Sequence, residues 1–87
     1  MTLKIETTSD GRTTTIRLIG RVEADHLEEL HALLRRHRPR ALLDLDDVTL
    51  VDVAVVRFLI ACEDKGIELR HCPPYIGEWM ARERSRE

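Results

Sequence analysis

The 87-residue sequence has few of the residues that nucleic-acid sites and catalytic centres use. It contains one Trp, one Tyr and one Phe, so there is no row of aromatic rings on which single-stranded bases could stack. Its two serines, Ser9 and Ser85, form no Ser-His-Asp arrangement for nucleophilic catalysis. No P-loop and no GxGxxG segment occurs, so a nucleotide would lack its usual backbone cradle. We therefore expect no enzymatic activity, no cofactor and no nucleic-acid partner.

The sequence also lacks the features of exported and membrane-spanning chains. Its two cysteines, Cys62 and Cys72, do not make a disulfide framework. The longest apolar runs, 53–56 and 58–62, are far shorter than the roughly 20 residues that cross a bilayer. Residues 1–6 lack the apolar stretch of a secretory signal. We therefore expect reduced thiols, a cytoplasmic location and no direct insertion into a membrane.

No charge of one sign is in large excess. The chain has 14 Lys and Arg against 16 Asp and Glu, so its net charge of −2 predicts affinity for neither nucleic acids nor membranes. Hydrophobic residues make up 43% and charged residues 34%, which is typical of a globular domain. The length fits a single domain over residues 1–87, and we predict that its charged end, 82–87, frays.

Apolar periodicity and turn chemistry predict the element order β-β-α-β-α-β-α. The Asp10-Gly11 turn joins two alternating segments into a hairpin, whose strands are antiparallel. After this hairpin each strand is followed by a helix, which implies right-handed crossovers and a parallel sheet. The strands are predicted at 3–6, 15–19, 41–45 and 67–70, and the helices at about 25–38, 53–65 and 74–80. The prediction is therefore an α/β fold with a mixed sheet.

One segment resembles a known family. Residues 41–52, Ala-Leu-Leu-Asp-Leu-Asp-Asp-Val-Thr-Leu-Val-Asp, precede an apolar helix, as in the central motif of STAS domains, which include the bacterial anti-sigma factor antagonists. Segments 18–22, 66–69 and 72–76 match the same family in order and spacing. The resemblance implies a STAS-like fold, with a roughly four-stranded, mostly parallel sheet, an antiparallel first strand and helices on one face.

The family pattern also implies an unpaired sheet edge. Compared with a full-length family member, the chain stops before the last strand and helix. An edge strand at about 67–71 would then be left for a second copy of the chain or a partner to cover. A homodimer is therefore one expected assembly.

The start of the second helix departs from the family pattern. In the regulated antagonists, the acidic residue that matches Asp52 is followed by serines, one of which the partner anti-sigma kinase phosphorylates. Val53 and Ala54 stand at those positions here, so no phosphorylation is expected there. A phosphate would add about −1.5 to −2 charge at this helix end. The uncharged helix start leaves two interpretations open: permanent availability for binding, or a site that has lost its function.

The resemblance implies a non-catalytic regulatory module that binds another protein. The implied partner is an anti-sigma factor of the kinase-like ATPase class, bound without control by phosphorylation. The implied partner-binding residues are Arg21, Val22, Glu23, Asp47, Asp52, Val53, Ala54, Val56 and Arg57. Two alternatives remain. One is an accessory subunit of an ABC lipid transporter that binds the ATPase subunit, and the other is a module that senses a small ligand.

Three polar clusters have ordinary structural interpretations. Four carboxylates, at 44, 46, 47 and 52, could hold Mg²⁺, but we interpret them as capping and loop residues. Histidines and cysteines are not spaced as metal ligands, so no metal site is predicted, although His71 and Cys72 are adjacent. The basic run at 35–40 is interpreted as a solvated helix end, with an acidic protein partner as the alternative.

Overall fold

The structure is a computed structural model that describes residues 3–37 and 40–86. The strands are β1 (Leu3–Ser9), β2 (Thr14–Val22), β3 (Ala41–Val51) and β4 (Glu68–Arg70). A short 3₁₀ turn (Ala24–His26) precedes the helices α1 (Leu27–His37), α2 (Val53–Asp64) and α3 (Pro74–Ser85). The sheet order is β1-β2-β3-β4, with β1 antiparallel to β2 and the other pairs parallel. The predicted α/β class, element order and mixed sheet are confirmed.

The β1–β2 hairpin closes through the predicted turn. The Asp10 carboxylate accepts hydrogen bonds from the backbone N–H groups of Arg12, at 2.9 Å, and Thr13, at 2.8 Å. Gly11 has a φ of 91°, a conformation that only glycine adopts at little cost. Local chemistry therefore fixes the register that brings β1 beside β2.

Alternation along the strands gives the sheet one apolar face, which the helices cover. Ile16 and Leu18 of β2 pack with Leu43 and Leu45 of β3 and with apolar residues of the helices in one core. Each of these four side chains is at most 1% exposed. Burying such a side chain contributes roughly 1.5–3 kcal/mol, so this layer holds the helices in fixed positions on the sheet.

Charged side chains line the opposite face of the sheet. Glu6, Arg17, Asp44 and Arg70 lie in register across the four strands, so their charges alternate in sign along the row. Arg17 also pairs with Asp47 and lies 3.9 Å from Glu6. Exposed pairs of this kind contribute little each, but the row keeps this face polar. The apolar face alone is therefore left for the helices.

The two edges of the sheet are β1 and β4. β4 has three residues and pairs only with β3 in the part of the chain that the structure describes. β4 ends at Arg70, and the next residue, His71, has a φ of 57°. The predicted edge strand is thus present over Glu68–Arg70, and its covering by a second copy stays a prediction.

α3 extends into the charged end of the chain, whose fraying over residues 82–87 stays a prediction. The helix continues to Ser85 because its charged residues find partners on α2. The Arg84 guanidinium donates to Glu63 at 2.9 Å and to Asp64 at 3.1 Å. Glu83 is buried and accepts a hydrogen bond from Arg57 at 3.2 Å. Residue 87 lies outside the described residues.

Neither cysteine is placed for reactivity. Burial raises the pKa of the Cys62 thiol to about 11, although Lys65 opposes the shift. Burial and, to a smaller extent, Glu63 raise the pKa of Cys72.

Among the residues described, none of the helices combines the length and the apolar character needed to cross a lipid bilayer.

We expect Cys62 to react with iodoacetamide far more slowly in the native protein than in urea. A pKa of about 11 instead of 9.0 reduces the thiolate fraction near pH 8 about 100-fold, and burial slows the reaction further. Peptide mass spectrometry after timed labelling would measure the rate at each cysteine. Equal labelling of Cys62 in native and denaturing buffer would contradict the buried position.

Candidate functional site

A single carboxylate organises the start of α2. Asp52 is the N-cap of the helix, with extended backbone, and its Oδ1 accepts a hydrogen bond from the Val55 N–H at 3.0 Å. Its Oδ2 accepts from the Ala24 N–H, at 2.9 Å, in the 3₁₀ turn that follows β2. The predicted cap is confirmed, and the same side chain also links the β2–α1 connection to α2. The first turn of α2 is thereby held in one position.

Three large apolar side chains are exposed around this helix start. Leu50 at the end of β3 is 52% exposed, Val53 in the first turn of α2 is 39% exposed and Tyr75 of α3 is 42% exposed. The Tyr75 hydroxyl donates to the Thr49 carbonyl at 2.7 Å, which ties α3 to the strand beside Leu50. We call Leu50, Val53, Ala54 and Tyr75 the β3–α2 patch.

Polar residues surround one side of the β3–α2 patch. Arg21 and Glu23 form an ion pair of 3.7 Å, and with Leu50, Val51 and Asp52 they line a shallow, open cavity. The Glu23 N–H donates to His26 Nδ1 at 2.9 Å, which orders the loop. A solvent-exposed apolar centre with a charged rim has the composition of a protein-binding surface.

The structure brings together most of the predicted partner-binding residues. Arg21, Glu23 and Asp52 lie at the rim, and Val53 and Ala54 lie in the patch, with Ala54 half-buried. Arg57, one turn after Val53, is exposed, and its Nε pairs with Glu83 of α3 at 3.2 Å. It extends the rim toward α3.

Three predicted residues do not belong to this surface. Val22 is 1% exposed and Val56 is not exposed at all, so neither can touch a partner. Both point into the core, Val22 from the apolar face of the sheet and Val56 from the face of α2 that packs on it. Asp47 pairs with Arg17 on the charged face of the sheet. Val22 and Val56 were therefore wrongly predicted as surface contacts, whereas contact of a partner with Asp47 stays a prediction.

Two members of the patch were missed from the sequence. Leu50 lies beyond the strand predicted at 41–45, in residues 48–51, which the structure adds to β3. The sequence of this segment does not show that Leu50 faces outward while Val48 is buried. Tyr75 reaches Thr49, 26 residues earlier, which no local pattern indicates. The only available signal was that Tyr75 is the sole tyrosine in the sequence.

The four clustered carboxylates do not converge on one point. Asp44 Oδ1 accepts from the Asp46 N–H at 3.0 Å and lies 3.1 Å from His71 Nδ1. Burial opposes ionisation of Asp44, but these two contacts outweigh it and lower its pKa. Asp47 turns to Arg17, and Asp52 caps α2. Within residues 3–37 and 40–86, no group of three His, Cys, Asp or Glu side chains is arranged to hold a metal ion.

Tyr75→Phe should lower the free energy of unfolding by about 0.5–1 kcal/mol. The change removes the hydrogen bond to Thr49 and leaves the exposed ring in place. For a domain of this size, the melting temperature should fall by about 2–8 °C, measured by circular dichroism. An unchanged melting temperature would show that the hydroxyl does not anchor α3 to β3.

Comparison with known proteins adds one match. A family model described as "Mlab, STAS domain" matches residues 5–82. The matched range contains the β3–α2 patch and its rim. No curated protein matches the sequence significantly.

Proposed function

The chain belongs to the STAS domain family, and from this membership we propose that it is a regulatory module that binds a protein partner through the β3–α2 patch. The exposure of Leu50, Val53 and Tyr75 around one helix start carries the proposal. Apolar side chains grouped in this way contribute most when a partner removes them from water. The module acts by binding and not by catalysis.

The patch is ordered before any partner arrives. Asp52 holds the first turn of α2 and the 3₁₀ turn, and Tyr75 holds α3 to β3. Because these backbone positions are already fixed, binding does not have to order them. A fixed apolar centre with charges at its rim supports a specific protein interface.

We propose that binding does not depend on phosphorylation at the start of α2. Val53, Ala54 and Val55 carry no hydroxyl, so the first turn offers no oxygen to which a phosphate could be attached. The helix start therefore keeps the same charge at all times. Of the two interpretations, we propose permanent availability, because Leu50 and Val53 are exposed to a partner at this uncharged helix start.

The partner that we propose is an ATPase. The first candidate is a kinase-like ATPase, the class of protein that the anti-sigma antagonists to which the sequence is similar bind. With this partner the chain would regulate transcription. The second candidate is the ATPase subunit of an ABC lipid transporter. A helix start that cannot be switched suits a permanent subunit, and the matching family description, "Mlab, STAS domain", contains no anti-sigma term. Either partner would place the chain in the cytoplasm.

The small-ligand alternative has less support. The cavity at Arg21, Glu23 and Asp52 is shallow and open, whereas small-molecule sites are enclosed clefts of about 300–1,000 Å³. Most of a small ligand would stay in contact with water at this position. The same features suit contact with a broad protein surface.

Capture from the native host would identify the partner class. The tagged chain, crosslinked in cells, should retain an ATPase, and mass spectrometry would tell a kinase-like ATPase from an ABC transporter subunit. The Ala54→Asp variant should lose that protein. A major partner that has no ATP-binding domain and is retained by Ala54→Asp would overturn both the partner class and the patch.

A further inference from the structure

A second concave surface lies between α1 and the C-terminal half of α2. Its apolar floor is formed by buried side chains of both helices and by the residue that leads into β4. The lining residues are His31, Leu34, Arg35, Phe58, Ala61, Cys62, Lys65 and Ile67. We call this the α1–α2 groove. The far end of the groove, at Lys65, lies about 18 Å along α2 from Val53 of the β3–α2 patch, because each residue of a helix rises about 1.5 Å.

The rim of the α1–α2 groove is cationic. Arg35 and Lys65 are exposed, and neither side chain forms an ion pair with any residue that the structure describes. Lys65 lies close enough to the floor to act electrostatically on the Cys62 thiol. His31 places its ring edge-on against Phe58, with centroids 4.9 Å apart and planes at 87°. None of the described residues that line the groove carries a carboxylate.

The size of the groove selects the kind of occupant. Its cavity of about 130 Å³ is well below the roughly 300–1,000 Å³ of sites for drug-sized molecules. One apolar side chain fills a cavity of this size, and the opening lets a peptide backbone pass across it. Arg35 and Lys65 at the rim would then form ion pairs with carboxylates on the residues that flank the inserted apolar side chain.

We propose that the α1–α2 groove binds a segment of a partner protein in which one apolar side chain is flanked by acidic residues. The apolar side chain enters between Leu34, Phe58 and Ala61, and the carboxylates pair with Arg35 and Lys65. Charge complementarity selects this occupant, because the cations have no partners within the described residues and the floor is apolar. The proposal does not depend on the function assigned to the β3–α2 patch.

A library of random dodecapeptides displayed on phage provides the test. Selection on the intact protein should enrich peptides with Leu, Ile, Phe or Met between Asp or Glu residues. The Arg35→Glu/Lys65→Glu variant should bind a synthetic peptide of this type at least about tenfold more weakly, a loss of about 1.4 kcal/mol. Arg36→Glu is the matched control, since Arg36 is exposed on the same helix but does not line the groove. Its affinity should stay within about twofold.

Ala61→Leu supplies a second variant that keeps both cations. The larger side chain fills the groove and should also abolish peptide binding, whereas Ala54→Asp at the other end of α2 should leave it unchanged. Enrichment without acidic residues, or equal binding to the charge-reversed variant, would overturn the proposal. Decanoate serves as a probe for an anionic amphiphile. If decanoate binds in the groove and no acidic peptide is enriched, the proposal is also overturned, because the occupant is then an amphiphile and not a protein segment.

Discussion

Replacing Asp52 with Ala should lower the free energy of unfolding by about 2 kcal/mol, the largest loss expected for a polar substitution at the site. Loss of the N-cap costs about 1 kcal/mol, and loss of the hydrogen bond from Ala24 to a charged acceptor costs about as much again. For an 87-residue domain the melting temperature should fall by about 8–16 °C, measured by thermal denaturation.

Asp52→Asn is the matched control for the double role of the carboxylate. The asparagine side chain has one oxygen that can accept, so it can retain one of the two hydrogen bonds. It should therefore recover about half of the stability that Asp52→Ala loses. If Asp52→Ala melts at the same temperature as the wild type, the carboxylate does not hold the start of α2 to the 3₁₀ turn.

Ala54→Asp should weaken the complex with the partner at least about 100-fold while leaving the fold intact. An unpaired carboxylate buried against an apolar partner surface costs about 3 kcal/mol or more, and each 1.4 kcal/mol is a factor of ten in affinity. The fold should tolerate the change, because an acidic residue in the first turn of a helix interacts favourably with the helix dipole. Titration calorimetry with the purified partner would measure the affinity.

The control for Ala54→Asp is Ala32→Asp, which makes the same change at an exposed position on α1. Ala32 lies outside the β3–α2 patch and does not line the α1–α2 groove. This variant should bind the partner with nearly wild-type affinity. Equal affinities for Ala54→Asp and the wild type would remove the start of α2 from the interface.

Features with local causes could be predicted from the sequence. The Asp10-Gly11 turn and the Asp52 cap depend on residues within three positions of one another, and both are present as predicted. The alternation in β1 and β2, with this turn, correctly predicted the antiparallel hairpin. A pattern that spans a few residues is enough wherever neighbouring residues make the decisive contacts.

The composition of the site depended on contacts that the sequence does not show. α2 is apolar around most of its circumference, so its periodicity did not indicate that Val56 faces the core while Val53 faces solvent. The helix predicted from about residue 25 begins at Leu27, after the 3₁₀ turn, where the Ala24 N–H donates to Asp52, 28 residues later. Tyr75 likewise finds its partner across 26 residues.

Photo-crosslinking in the native host tests most directly whether the β3–α2 patch is the surface that meets the partner. The residue p-benzoylphenylalanine would be placed at Leu50 or Val53 and, as the control, at Thr7 on β1, which is also exposed. We predict that the two patch positions yield adducts with one and the same ATPase and that Thr7 does not. Adducts with the partner from Thr7, and none from Leu50 or Val53, would contradict the account.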